Sequence, residues 1–516
     1  MSRPTTLGAL RTSGWQSVPV KEEMRRNALR LLRAGAPMFP GIVGYDRTVL
    51  PALQNAILSR HDFILLGLRG QAKSRILRGL ANFLDDAIPA VAGCDINDDP
   101  LAPICRRCRR LVAEQGDALA IAWIARDERY REKLATPDVT MADLIGDIDP
   151  IKAANERRSL SDEEVIHYGI IPRTNRGIFA INELPDLPTR IQVGLLNILE
   201  ERDVQIRGFP IRLPIDVCVV FSANPEDYTN RGSIITPLKD RIDSQILTHY
   251  PRSVAEAMAI TEQEAWTKRA GAVEVRMPAF MRELVEAVAF AARKSEFVDQ
   301  SSGVSARLSI AAMENVVSNA ERRAIALGEP YGYPRICDVY AAMPAVTGKI
   351  ELVYEGEQQG VTGVAKRVIG QAIQDLFGRL FPPAYAPRPA ASRRPERRGP
   401  APSERGELKG SRDPVDDGSP YKPIVDWFAA GNVLEINDRM PAADYARALG
   451  RVPSLREIVK ERLKPATDDE LWAGMELVVE GLHQHSLVAR EDLDGGVSYK
   501  DMLKSMFASM EDPGDE

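Results

Sequence analysis

Cysteine is scarce in this chain, five among 516 residues, which argues against a disulfide framework and suits a reducing compartment. Long apolar runs are missing as well. No stretch approaches the roughly 20 residues needed to span a bilayer, and the opening MSRPTTLGALRTSGWQSVPVKEE lacks the apolar centre of a secretory signal. A strong charge of either sign is also lacking: 67 Lys and Arg against 73 Asp and Glu leave a formal net charge of −6. That balance gives no overall field for nucleic acid, so such a partner is not expected. What is present, 44% hydrophobic and 27% charged residues, is the composition of a globular protein. The length favours about three or four domains, and a cytoplasmic location is expected.

The chain is organised around Asp62 to Arg75, DFILLGLRGQAKSR. A short apolar run, Phe63 to Leu66, stops at a Gly-rich turn and is followed by a helical pattern. Strand, loop and helix with a closing Lys-Ser form a phosphate cradle, in which backbone N–H groups and a helix N-terminus face the anion. The residues assigned to it are Gly67, Gly70, Gln71, Ala72, Lys73 and Ser74. Lys73 would reach the β- and γ-phosphates, and the Ser74 hydroxyl would complete a Mg²⁺ shell around ATP. Ala72 stands where the usual pattern has Gly, a mild variant if the local φ is negative. Upstream, FPGIVGYDRTVLPALQNAI places Val43 and Gly44 one helix before the loop, where they would pack on the adenine ring.

A second apolar run, Arg176 to Glu183, reads as a central parallel strand buried on both faces. It carries Asn182 and Glu183 at its carboxyl end, where open α/β sheets bind ligands. Glu183 is placed to polarise a water against the γ-phosphate. Asn182 occupies the position that normally holds an Asp toward the Mg²⁺ shell. A third run, Val217 to Phe221, ends in Ser222-Ala223-Asn224-Pro225, and the Asn224 amide can hold the attacking water. Between them lie a helix and a tight hairpin with Gly208. Farther on, TPLKDR places Arg241 where it can reach a neighbouring subunit's nucleotide.

These motifs, in this order, resemble an AAA+ ATPase of the magnesium chelatase I-subunit and MoxR-like family. FPGIVGYD, GLRGQAKS, ADLIGDID (142–149) and PRTNRGIFAINEL (172–184) are similar to its lead-in, Walker A and the segments leading into Walker B, over roughly residues 37 to 350. The resemblance implies Asn224 as sensor 1, Arg241 as a trans-acting arginine finger, and Arg307 as sensor 2 on a helical lid. It also implies a ring-forming, hexamer-like self-oligomer and a partner with a von Willebrand A domain. No D-x-S-x-S motif occurs here, so that partner would be a separate chain.

The expected fold is an α/β, AAA+ P-loop parallel-sheet core with a helical lid, plus a small C-terminal helical domain after a disordered linker. The boundaries read as an N-terminal helical extension over 1–36, the ATPase core over 37–252 with an insert at 86–168, and the lid over 253–378. A Pro/Arg-rich linker over 379–420 and the C-terminal domain over 421–516 follow. In the latter, Thr467-Asp468-Asp469-Glu470 reads as a capping box, with Leu471, Met475, Val478 and Leu482 on one helical face. The insert carries Cys94, Cys105 and Cys108. With His167 as fourth ligand these would make a Zn²⁺ set, although the complete four-ligand spacing is absent. Arg106, Arg107, Arg109 and Arg110 crowd the pair and would lower the thiol pKa values, so a redox pair or a plain Cys-bearing loop stays open. The function expected is a Mg²⁺-dependent ATPase that remodels a protein partner or drives metal insertion. The alternatives are a MoxR-like chaperone and an ATP-binding scaffold with little turnover, which Asn182 would favour. An activator acting on a sigma factor is weaker, because the GAFTGA loop is absent.

Overall fold

Five short strands build the centre of the first half of the chain: β1 (Phe63–Leu66), β2 (Tyr130–Leu134), β3 (Gly177–Asn182), β4 (Val217–Ala223) and β5 (Ser244–Leu247). They run parallel in the order β5-β1-β4-β3-β2. Alternation along each strand divides its side chains between two cores. Ile64, Leu66, Phe179, Ile181, Val219 and Phe221 enter one, while Phe63, Leu65, Ile178, Ala180, Cys218 and Val220 enter the other. This double burial is why β1, β3 and β4 read as unbroken apolar runs. The edge strand β2 reads differently. Its YREKL side chains are only partly buried, as suits an edge, and it lies within the span assigned to the insert, so residues 86–168 are not all insertion.

The computed structural model describes residues 3–155, 157–159, 162–206, 212–225, 233–269, 273–385, 419–493 and 495–502. The Gly208 hairpin and most of the expected linker lie outside them. Helix α1 (Lys73–Gly79) follows β1, α2 (Arg106–Gln115) lies in the segment before β2, and α3 (Thr236–Arg241) precedes β5. Among the described residues no helix is long and apolar enough to cross a membrane.

The chain divides into two units, Met1–Arg252 and Ser253–Glu516. The second contains α4 (Ala279–Ala292), α5 (Arg307–Leu327), α6 (Val361–Leu380) and α7 (Asp468–Gln484). As the sequence pattern predicts, Thr467 caps α7, its hydroxyl accepting from Glu470 N at 3.2 Å. Leu471, Met475, Val478 and Leu482 are all buried. The C-terminal helices come with a sheet that the helical reading did not include: β6 (Leu434–Asn437), β7 (Val488–Leu493) and β8 (Gly496–Asp501), antiparallel in the order β6-β8-β7. One hydrophobic core joins α4, α5 and α6 to α7 and this sheet. Residues 379–385, read as the start of the linker, instead finish α6 and pack: Phe381 stacks on Phe377 at 5.4 Å, and Pro382 O accepts from Tyr421 Oη at 2.8 Å.

Candidate functional site

The parallel strands bring the predicted motifs together at the carboxyl ends of β1, β3 and β4, the rim of the sheet called its edge below. Leu66 lies opposite Ala223, and Gly67 N donates to Ala223 O at 3.2 Å, so the phosphate loop leaves β1 directly beside the tip of β4. Gly67 is required there: a Cβ would collide with Thr248 Oγ1 and Gln71 Oε1. Gly70 has φ 72°, a region glycine enters without steric cost. Ala72 departs from expectation. Its φ is 59° and its ψ 15°, left-handed rather than negative, because the turn into α1 passes through a conformation that glycine would normally supply. The methyl costs on the order of 1–2 kcal/mol of backbone strain and is exposed, so packing returns nothing for it. Lys73 is 8% exposed, with Nζ donating to Gly67 O and to Leu68 O at 3.0 Å. Ser74 is exposed beside it.

The far side of the loop is braced by residues the sequence reading did not assign. Thr248, just past β5, donates its hydroxyl to Gln71 Oε1 at 2.6 Å. Tyr45 donates to Gln71 O at 3.0 Å and His249 O at 2.8 Å, and Tyr250 donates to Arg69 O at 2.9 Å. Burial pushes the Tyr45 hydroxyl up to about 12. Val43 and Gly44, half-buried, come just before Tyr45, so the lead-in segment is tied to the loop through that ring.

At the tip of β3, Glu183 is also left-handed, φ 56° and ψ 51°, a strained placement of the kind found at functional positions. Its N–H faces Ser222 Oγ at 3.4 Å, and Ser222 Oγ donates to Asn182 Oδ1 at 3.1 Å. Asn182 also touches Glu132 on β2, whose carboxyl Arg78 holds below its ordinary value. Asn224, 7% exposed, has a buried Oδ1 with no hydrogen-bond partner among the described residues. An orphaned acceptor beside a buried lysine and an open serine fits a polar ligand here. Lys73 and the loop N–H groups suit phosphate, and Ser74 with Asn182 suits a hydrated Mg²⁺.

Two further predicted residues lie elsewhere in the sequence. Arg241, at the end of α3, pairs with Glu200 at 2.5 Å and donates to Pro237 O at 3.0 Å. Arg307 is exposed at the first turn of α5, in the second unit.

A second polar cluster lies in the segment before β2. Sγ of Cys94, Cys105 and Cys108 and a carboxylate oxygen of Asp98 lie within 4.8 Å of one another. His167, the expected fourth ligand, is not among them. It points outward from a strand whose neighbours Ile166 and Tyr168 face inward, and it meets Arg173 instead. Asp98 takes that place. Hydrogen bonds from the thiols of Cys105 and Cys108 hold Cys94 well below the ordinary thiol range. The contact with Cys108 and then with Cys94 pushes Cys105 upward.

No protein-family model matches the chain. The sigma54-dependent transcriptional activator SfnR of Pseudomonas putida is 31% identical over 135 residues, which cover 22% of this chain and 37% of that protein; the chain thus matches little over a third of its curated relative. Among solved structures, a complex of subunits BchI and BchD of magnesium chelatase is 20% identical, covering 62% of this chain and 98% of the other, with a TM-score of 0.33. A putative ATPase from Cytophaga hutchinsonii is 14% identical over 68% and 96%, with a TM-score of 0.29. NtrX from Brucella abortus in complex with ATP is 12% identical over 72% and 67%, with a TM-score of 0.35. Structural likenesses of this size settle neither family nor activity.

Proposed function

We propose that the chain is a Mg²⁺-dependent AAA+ ATPase of the chelatase-I or MoxR-like kind, which couples hydrolysis in a ring to remodelling of a protein partner or to metal insertion. The observation that carries this reading is the meeting of three strand ends at one sheet edge: the Lys73 loop after β1, Asn182 and Glu183 after β3, and Ser222 to Asn224 at the end of β4. Lys73 supplies positive charge to the phosphates, Glu183 orients and deprotonates a water, and Asn224 Oδ1 accepts from that water. Ser74 and Asn182 hold the hydration shell of Mg²⁺, which neutralises phosphate charge when bound. Arg241, released from Glu200, serves a neighbouring subunit's site, and Arg307 reads the nucleotide from the lid. A separate von Willebrand A partner and a cytoplasmic location complete the reading.

The test is ATP binding and turnover of the full chain with Mg²⁺. Glu183→Gln should keep ATP bound and lose most hydrolysis, and a captured von Willebrand A protein would favour the chelatase-like machine. The second reading, an ATP-binding scaffold, is favoured by Asn182, which brings no charge of its own and is fastened between Ser222 and Glu132. Wild type that binds ATP yet shows no turnover in assembled form would select it. A role with sigma factors is not adopted, since the GAFTGA loop is absent.

A further inference from the structure

We propose that Cys94, Asp98, Cys105 and Cys108 form a closed, structural Zn²⁺ site that staples the segment between Ala87–Val91 and α2. The argument does not depend on the nucleotide reading, because none of these residues belongs to the phosphate edge.

The donors converge from two pieces of chain. Cys94 and Asp98 lie on the loop after Ala87–Val91; Cys105 is the N-cap residue of α2 and Cys108 lies in its first turn. A separation of at most 4.8 Å among all four ligand atoms suits a single tetrahedral ion. A polynuclear iron–sulfur cluster would hold its thiolates farther apart. The donor set, three soft sulfurs and one oxygen, is the chemistry Zn²⁺ takes.

The surroundings are those of an oriented site. Cys105 Sγ accepts from Cys108 N at 3.3 Å, and backbone N–H groups of Ile96 and Asp98 point at Cys94 Sγ; such donors stabilise thiolates and fix their direction. Asp98 is fully buried, its two oxygens held by Ile104 N at 2.8 Å and Cys105 N at 3.0 Å. A carboxylate has about four acceptor positions, so each oxygen keeps one free. Asp98 makes no ion pair among the described residues, and Cys105 and Cys108 sit in an apolar cluster with Ile96, Leu119, Val165 and Ile166. Three sulfurs and a carboxylate that converge in such a place are donors a cation can satisfy together. The adjoining cavity of about 310 Å³ is lined by Arg107, Arg110, Lys152 and Arg158 together with Asp95, Glu163 and Glu164, and Arg110 and Arg158 pair there with Glu164.

The test uses the full chain, purified under reducing, anaerobic conditions without added metal, with folding checked by circular dichroism. Elemental analysis should find about one zinc per chain. Co²⁺ exchanged into the site should give tetrahedral d–d bands and a thiolate-to-cobalt charge-transfer band sized for three sulfurs. The Cys105→Ser, Cys108→Ser variant should lose the metal, and His167→Ala should keep it. Asp98→Asn should weaken zinc against a chelator by more than the roughly 10–100-fold typical of an outer-shell change and should shift the cobalt bands. Folded wild type that carries no zinc and takes up no Co²⁺ would overturn the site, as would a disulfide among these thiols in the protein as isolated. Unaltered cobalt bands and zinc affinity in Asp98→Asn would overturn the assignment of the fourth ligand.

Discussion

The strand tips of the parallel sheet and the core of the second unit both take polar side chains out of water, and they surround them differently. In the second unit charged and aromatic groups pair with one another, although Arg335 Nε and Glu476 Oε1 have no hydrogen-bond partner among the described residues. Arg323 grips Asp338 at 2.6 and 2.8 Å, Arg335 lies 4.2 Å over the Tyr445 ring and donates to Met440 O, and Glu476 accepts from Tyr445 Oη and Ile336 N. At the sheet edge Asn224 Oδ1 also has no partner among the described residues, while Ala72 and Glu183 hold left-handed backbone. Polar burial that closes on itself fixes a fold. What sets the strand tips apart is that the unanswered acceptor there comes with left-handed backbone at Ala72 and Glu183, a combination that suits a ligand.

The sharpest way to break this contrast is to remove one half of the closed network. Asp338→Ala leaves Arg323 buried without its counter-charge, so chemical denaturation should show a loss of about 3–5 kcal/mol. A loss near zero would mean that the pair is not what holds the unit together. Lys73→Ala should behave in the reverse sense: little change in unfolding, but ATP binding weaker by at least about tenfold, the loss of a charge-assisted contact of about 1.5–3 kcal/mol. Unchanged affinity in calorimetry would remove the phosphate loop from the argument.

Tyr45→Phe touches both categories, since Tyr45 braces the loop from a buried position. It should cost about 1–1.5 kcal/mol at neutral pH. The raised Tyr45 pKa means its contribution is complete below pH 10 and lost as pH rises toward about 12. The gap between variant and wild type should therefore close across that alkaline window, and a constant gap would contradict the sign. The smallest effect is expected from Ala72→Gly. Relief of left-handed strain is partly offset by the freer unfolded chain, giving a net gain of less than about 1 kcal/mol; a clear loss of stability would show that the methyl is held for another reason.

Much of the site could be read from residues alone, for a physical reason. A strand buried on both faces is an apolar run, and a polar residue where the run stops, as at Asn182 or Asn224, advertises the strand's end. The same reasoning missed β2 because edge strands carry charge. Local sequence held no sign of the brace from Thr248, His249 and Tyr250, which lie 177 to 204 positions from the residues they hold. Asp98 escaped because a lone carboxylate near a CxxC has no spacing rule of its own. The sign of φ at Ala72 is a property of the turn and not of the residue in it.

The common core of the second unit has a bearing on biosynthesis. Phe377 of α6 is covered in part by Tyr421 and by Gly481 of α7, and the chain returns to it only after residues 386–418. A ribosome emits α6 first, so the part of its apolar surface around Phe377 stands uncovered until α7 has cleared the exit tunnel. That interval is one in which nascent chains aggregate or enlist chaperones. A chain cut after residue 385 would leave Phe377 without that cover.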